Sequence, residues 1–208
     1  MTDAPASTRR DTLVLERDGF DREELRGRAA GVAVCAVMGL AWTASALGDL
    51  GSGVAVAVLA AGVAAAAVLL AGVRRLRRAD ARPTAPSSSF DPSQVRRRFN
   101  LVVAGEIAVI AAAANILGRT GHSRWIPAVI CAAVGLHFVP LARLFGLGLY
   151  YATAVALCLV AALTMFLGAT GASESLWRLL PGLGTALVLW ATGARLLATT
   201  PTGSKVRP

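Results

Sequence analysis

Apolar side chains run almost unbroken through six stretches of the chain, approximately Ala29 to Leu47, Val54 to Val73, Phe99 to Gly118, Trp125 to Leu144, Leu147 to Gly168 and Leu176 to Ala198. Each holds about twenty residues, which at a rise of about 1.5 Å per residue matches a hydrocarbon core about 30 Å thick. Blocks of that length are spans rather than amphipathic faces. The pattern predicts an all-α fold, a polytopic membrane bundle of six transmembrane helices. Connections after the first, third, fourth and fifth stretches are short, so consecutive helices are expected to be antiparallel neighbours. The organisation is then an N-terminal segment 1–28, hairpins over 29–73, 99–144 and 145–198, a linker 74–98 and a tail 199–208.

Composition supports this reading: 55% of residues are apolar and only 16% charged, unlike a soluble domain of 208 residues. The net charge of +9 does not point to nucleic acid, because the arginines sit in short segments beside the apolar blocks. Their distribution sets orientation instead. The linker carries Arg74, Arg75, Arg77, Arg78, Arg82, Arg96, Arg97 and Arg98, whereas the opposite side holds Arg119, Arg124 and Arg178. Positive charge close to spans stays cytoplasmic. Together with the arginines before Ala29 and Arg195, Lys205 and Arg207 at the end, this predicts that both termini are cytoplasmic and that the chain lies in the cell's inner (plasma) membrane. Trp125 and Trp177 open helices on the outer side, and Phe99, Tyr150 and Tyr151 on the inner one, as interfacial belts require. The bilayer is the expected partner. Arg74, Arg75, Arg77, Arg78, Arg96, Arg97 and Arg98 are placed to touch anionic headgroups, although their topological role alone explains them.

Two polar segments flank the spans. Thr12 to Arg28 interleaves acids and arginines with Leu13, Leu15, Phe20 and Leu25, the pattern of a short surface helix. Pro83, Pro86, Ser87 to Ser89 and Pro92 read as a flexible linker. Ala44-Ser45-Ala46 resembles a signal cleavage site, but the preceding polar segment is long and acidic for a signal peptide, and the first helix has repeat partners.

That repeat lies in the turns after the odd-numbered helices: Leu47-Gly48-Asp49-Leu50-Gly51, Leu117-Gly118-Arg119-Thr120-Gly121 and Leu167-Gly168-Ala169-Thr170-Gly171 all read L-G-x-x-G. The even helices end alike in Arg74-Arg75-Leu76, Ala142-Arg143-Leu144 and Ala194-Arg195-Leu196. Glycine ends many helices and arginine marks many cytoplasmic ends, yet register shared at both ends of a hairpin argues for three parallel helical-hairpin repeats about an axis normal to the membrane. Such Gly- and Ala-rich spans also admit a homo-oligomer. Gly39, Gly62, Gly105, Gly135, Gly146 and Gly148 are expected to permit close helix approach.

Chemistry is sparse. Cys35, Cys131 and Cys158 lie in separate spans with no C-x-x-C spacing, so they read as small buried residues with neither disulfide nor metal site. His122 and His137 fall at different depths, which excludes a bis-histidine haem. No P-loop, dinucleotide fingerprint, nucleophile elbow or metal cluster is present, so no enzyme, cofactor or catalytic residue is indicated.

The exception is the middle hairpin. Glu106 and His137 both lie inside spans, and counting from a turn centred between Gly121 and His122 brings them level, about 10 Å from the inner end at helical rise. The same count pairs Asn115 with Ala128. A charge at that depth needs a partner, and for this pair desolvation and mutual attraction together set a shared proton equilibrium. That chemistry suits a proton relay, a proton-coupled carrier or a small-solute site; a Glu–His hydrogen bond acting as helix glue is the structural alternative. The matching positions of the other hairpins are near Ala36 and Ala156, and near Val68 and Leu189. Asn115, Pro140 and Arg143 complete the candidate site: Asn115 as an interhelical hydrogen bonder, Pro140 as a residue that frees the carbonyl of Leu136 or merely kinks the helix. The chain is thus expected to bind or transport a small solute, with or without a coupled proton, or to be a noncatalytic stress-related or structural membrane component acting through oligomerisation or lipid contact.

The segment Gly135-Leu136-His137-Phe138-Val139-Pro140-Leu141-Ala142-Arg143 resembles a G-L-H-F-x-P-L-A-R stretch of small bacterial six-helix membrane proteins. The hairpin plan looks like that of the HdeD-like short-repeat membrane family, which is associated with acid stress. The first resemblance covers about nine residues and the second topology alone, and neither implies a catalytic residue.

Overall fold

The computed structural model describes residues 22–78 and 92–199. Among them it forms six α-helices: α1 (Arg22–Ser45), α2 (Ser52–Arg78), α3 (Pro92–Arg119), α4 (Ile126–Phe145), α5 (Gly148–Ala169) and α6 (Glu174–Ala198). Every one is long and apolar enough to cross a membrane. Helices satisfy their backbone groups internally, which is the condition for crossing lipid. The helices outrun the apolar blocks. α1 starts at Arg22 and α2 continues to Arg78, because arginine is a good helix former and cations favour a helix C-terminus. The expected linker 74–98 therefore contracts: Arg74, Arg75, Arg77, Arg78 and Arg96 to Arg98 all lie on helix ends. The proposed surface helix from Thr12 falls largely outside the described residues, and its last part, from Arg22, is continuous with α1. The Pro/Ser-rich stretch lies outside them, except that Pro92 opens α3.

The turns of the second and third hairpins share a geometry that the first does not. Gly121 and Gly171 both adopt a left-handed backbone, φ +74° and +78°, which glycine enters without steric cost. Each lets the next residue close onto the helix, His122 N–H donating to the Leu117 carbonyl at 2.8 Å and Ala172 N–H to that of Leu167 at 3.0 Å. Thr120 and Thr170 add matching hydroxyl bonds to the carbonyls four residues back. In the first hairpin Leu47–Asp49 forms a 3-10 turn instead.

The hairpins do not succeed one another around the bundle. The first packs through α1 onto α6, and the second through α4 onto α5. The third therefore sits between the other two. α6 is the hub, touching α1, α2, α4 and α5. Glycine permits these approaches: a Cβ at Gly182 would lie 2.7 Å from the Ala46 methyl and 3.1 Å from the Trp42 carbonyl, and one at Gly135 would lie 3.2 Å from the Ala154 carbonyl. Gly39 and Gly62 likewise face Trp190. Gly105, Gly146 and Gly148 do not serve this purpose, since nothing lies within 4 Å of a Cβ placed there; Gly146 instead ends α4 in a left-handed cap.

Hydroxyl and thiol groups join the core helices. Thr153 on α5 and Thr192 on α6 share a 2.8 Å hydrogen bond, and Cys131 on α4 lies 3.1 Å from the Thr185 hydroxyl on α6. All three cysteines are free thiols. At the end away from the arginine clusters Trp125 stacks on Trp177 with centroids 6.0 Å apart.

Candidate functional site

Glu106 and His137 are brought together. Glu106 Oε2 lies 3.3 Å from His137 Nδ1, with the two side chains retaining 18% and 10% exposure respectively. The contact bridges α3 and α4, as antiparallel register predicts. It is a charge-range approach that falls short of hydrogen-bond geometry, for Nδ1 is buried and makes no hydrogen bond. The main chain of Val102, one turn before Glu106, faces the imidazole as well.

Helical phase explains what gathers there. On α3 the partly covered positions are Val102, Val103, Glu106, Ile110, Ala113, Ala114 and Leu117, adjacent or three to four residues apart, so that they share the face turned to α4. Asn115 stands nine residues from Glu106, about half a turn out of phase at 100° per residue. It is accordingly exposed and does not bond to α4, even though Ala128 opposite it is buried. Arg143 is also exposed, at the end of α4, while Pro140 is half-buried within a helix that continues past it. The site thus consists of the carboxylate and the imidazole; Asn115 and Arg143 stand apart from it.

A series of aromatic rings runs from beside His137 to the ends of α3 and α4 that carry arginines. Phe99 on α3 lies 6.2 Å from Phe145, Phe145 lies 6.4 Å from Tyr150, and Tyr150 lies 5.4 Å from Phe138, the neighbour of His137. Phe99 and Phe145 come from the two helices that carry the pair, seven and eight residues beyond Glu106 and His137, or about 10 to 12 Å at helical rise. The sequence offered a signal for this cluster in the aromatic residues at the helix ends, which interfacial anchoring explained without reference to the pair. His122 lies exposed in the turn at the far end, with Nδ1 3.2 Å from the Thr120 hydroxyl. Among the described residues no group of three or more His, Cys, Asp or Glu could hold a metal ion.

Two ionisable side chains with opposite proton preferences, held side by side within apolar spans, can exchange a proton with each other or with a small polar ligand. No family model, curated protein or solved structure matches the chain.

Proposed function

We propose that this protein is a multi-pass carrier in which Glu106 and His137 bind and release a proton during movement of a small solute. The observation that carries the reading is the 3.3 Å approach of Glu106 Oε2 to His137 Nδ1 between two apolar helices. Among the described residues the polar contacts that Thr153 makes with Thr192, and Cys131 with Thr185 and the Leu157 carbonyl, join core helices without charge. An ionisable pair is therefore an addition to a bundle already knit without charge. In this reading the arginine-bearing end faces the cytoplasm of a bacterial inner membrane with both termini inside, and Arg74, Arg75, Arg77, Arg78, Arg96, Arg97 and Arg98 lie against anionic headgroups.

One observation favours a second reading, a noncatalytic stress-related or structural component. No described side chain of α3 is buried, so the pair has an evident use as the polar tie that seats α3 on α4.

Purified protein in vesicles with an imposed pH gradient and an internal pH-sensitive dye separates the two. Proton flux in the native chain, lowered about tenfold or more in Glu106→Gln and His137→Asn proteins of unchanged folded yield, is the expected result; the loss corresponds to about 1.4 kcal/mol or more. No flux from the native chain, together with lower yield in both variants, establishes the structural role.

A further inference from the structure

Among the described arginine side chains Arg28 alone is not exposed. It stands on α1 immediately before the apolar block that starts at Ala29, and its Nη1 donates to the Thr199 hydroxyl at 3.2 Å. Thr199 lies just past α6 and gives its own proton to the Arg195 carbonyl at 2.9 Å. The hydroxyl therefore acts toward the guanidinium as an acceptor and fixes its position. A cation at the C-terminal end of α6 also meets the helix dipole favourably. That accounts for Arg28, but not for the side chain beside it.

That neighbour is Tyr150, the third residue of α5, which is 6% exposed. Its ring packs edge-on against Phe138 and Phe145, contacts that a phenylalanine would make as well. The hydroxyl reaches across to α1, where a Cβ at Gly31 would lie 2.9 Å from it and 3.5 Å from the Leu196 side chain of α6. Gly31 and Leu196 each stand three residues deeper than Arg28 and Thr199, so the phenol oxygen lies about 5 Å along the helices from the Arg28–Thr199 contact. The Arg28 charge acts on it there. Yet among the described residues the Tyr150 hydroxyl makes no hydrogen bond. An enclosed hydroxyl without a partner is costly, and the chain forgoes a side chain at Gly31 to admit this one. Packing explains the ring and leaves the oxygen without a use.

We propose that the ends of α1, α5 and α6 form a binding site for a phosphate group, which accepts from the Arg28 guanidinium and from the Tyr150 hydroxyl. A phosphate presents several acceptor oxygens on one centre and suits the planar guanidinium fork, so two donors one helical turn apart can serve it together. Depth assigns the phosphate to a phospholipid headgroup. Arg28, Tyr150 and Thr199 all stand at helix ends, at the edge of the apolar blocks, and basic pockets between spans are where anionic headgroups are held. Thr199 is exposed and Arg28 half-buried, which leaves the place open toward that end of the bundle. The site is distinct from the exposed arginines of α2 and α3, which offer charge without an enclosed hydroxyl.

Tyr150 and Tyr151 are the only tyrosines of the chain, so labelling tyrosine with carbon-13 at Cζ gives two signals, assigned by Tyr150→Phe. The purified chain in phosphate-free maltoside micelles is titrated with short-chain phosphatidylglycerol and, separately, with inorganic phosphate. The Tyr150 signal is expected to shift with the lipid while that of Tyr151 stays. Tyr150→Phe weakens lipid binding, read by native mass spectrometry, about fivefold, the size of one hydrogen bond, and Arg28→Gln about tenfold or more. Arg26→Gln, which removes an equal charge from an exposed position two residues away, leaves it near the native value. Because the hydroxyl has no partner within the chain, Tyr150→Phe also unfolds at the native temperature in lipid-free micelles, which keeps the test decisive if Arg28→Gln fails to fold. A Tyr150 shift with inorganic phosphate as well retains the phosphate site and moves its source to solution. No shift with either, native affinity in Tyr150→Phe, or loss of stability in that variant overturns the proposal.

Discussion

Helices α6 and α3 are of similar length and equally able to cross a membrane, but they stand at opposite extremes of burial. α6 buries Trp177, Pro181, Gly182, Thr185, Ala186, Leu189, Thr192, Gly193 and Leu196, a series broad enough to meet four other helices. α3 buries no described side chain and meets α4 along one face. The Glu106–His137 pair lies at the α3 edge. In lipid, association draws on close packing and interhelical hydrogen bonds in place of the hydrophobic effect. Glycine and threonine supply both in α6 without charge, and this leaves the Glu106–His137 contact as an isolated feature of a lightly held helix. A site on such a helix can change its contacts without unpacking the hub.

The sharpest way to break the contrast is to give the hub the side chains that α3 tolerates. Gly182→Leu places a branched side chain where even a Cβ would meet the Ala46 methyl at 2.7 Å and the Trp42 carbonyl at 3.1 Å. The neighbours are a helix backbone and a methyl fixed to it, so α1 must move from α6. The expected cost is about 3 kcal/mol or more, read as lost folded yield and lower thermal stability in detergent. A stable Gly182→Leu protein would show that α6 is not the hub.

The hydroxyl contact gives a smaller effect. Thr153 and Thr192 lie 2.8 Å from one another and each within reach of a carbonyl of its own helix, so that one hydroxyl donates to the other while the second donates to its own helix. Valine keeps the shape and removes the shared bond. In a double-mutant cycle of Thr153→Val and Thr192→Val the coupling should be about 0.6 kcal/mol, up to about 1.7, measured by reversible unfolding in mixed micelles. Zero coupling would mean that shape alone joins α5 to α6.

How much of this was legible in the sequence follows from what each feature requires. Span number needs only uninterrupted apolar length, and all six spans were readable. Helix ends were less so, since hydropathy marks the hydrocarbon and helical hydrogen bonding continues into Arg22 to Arg28 and Arg74 to Arg78. The level of Glu106 with His137 needed only counting from a turn. Asn115 required rotational phase as well, which counting by depth ignores. The placement of the third hairpin between the others was hidden, because chain order does not fix lateral order when each hairpin is complete. A clue was present in α6, where Gly182, Thr185, Thr192 and Gly193 put small and hydroxyl residues on one side of the helix.

A third effect, of similar small size, reverses sign between the two helices under one substitution. Gly182→Ala forces the 2.7 Å contact with Ala46 and should destabilise by about 1 kcal/mol, the lower range of an overpacked site. At Gly105 a Cβ meets nothing within 4 Å, so Gly105→Ala acts only on the helix itself. Alanine restricts the backbone that glycine leaves free, a gain of about 0.5 to 1 kcal/mol. The variant should unfold at slightly higher temperature than the native chain, whereas Gly182→Ala unfolds lower. The added methyl points about 100° around the helix from Glu106 and meets no neighbour within 4 Å, so proton flux should remain at the native level. A Gly105→Ala protein that lost stability would reveal a covered neighbour at Gly105, and α3 would no longer be the open edge of the bundle.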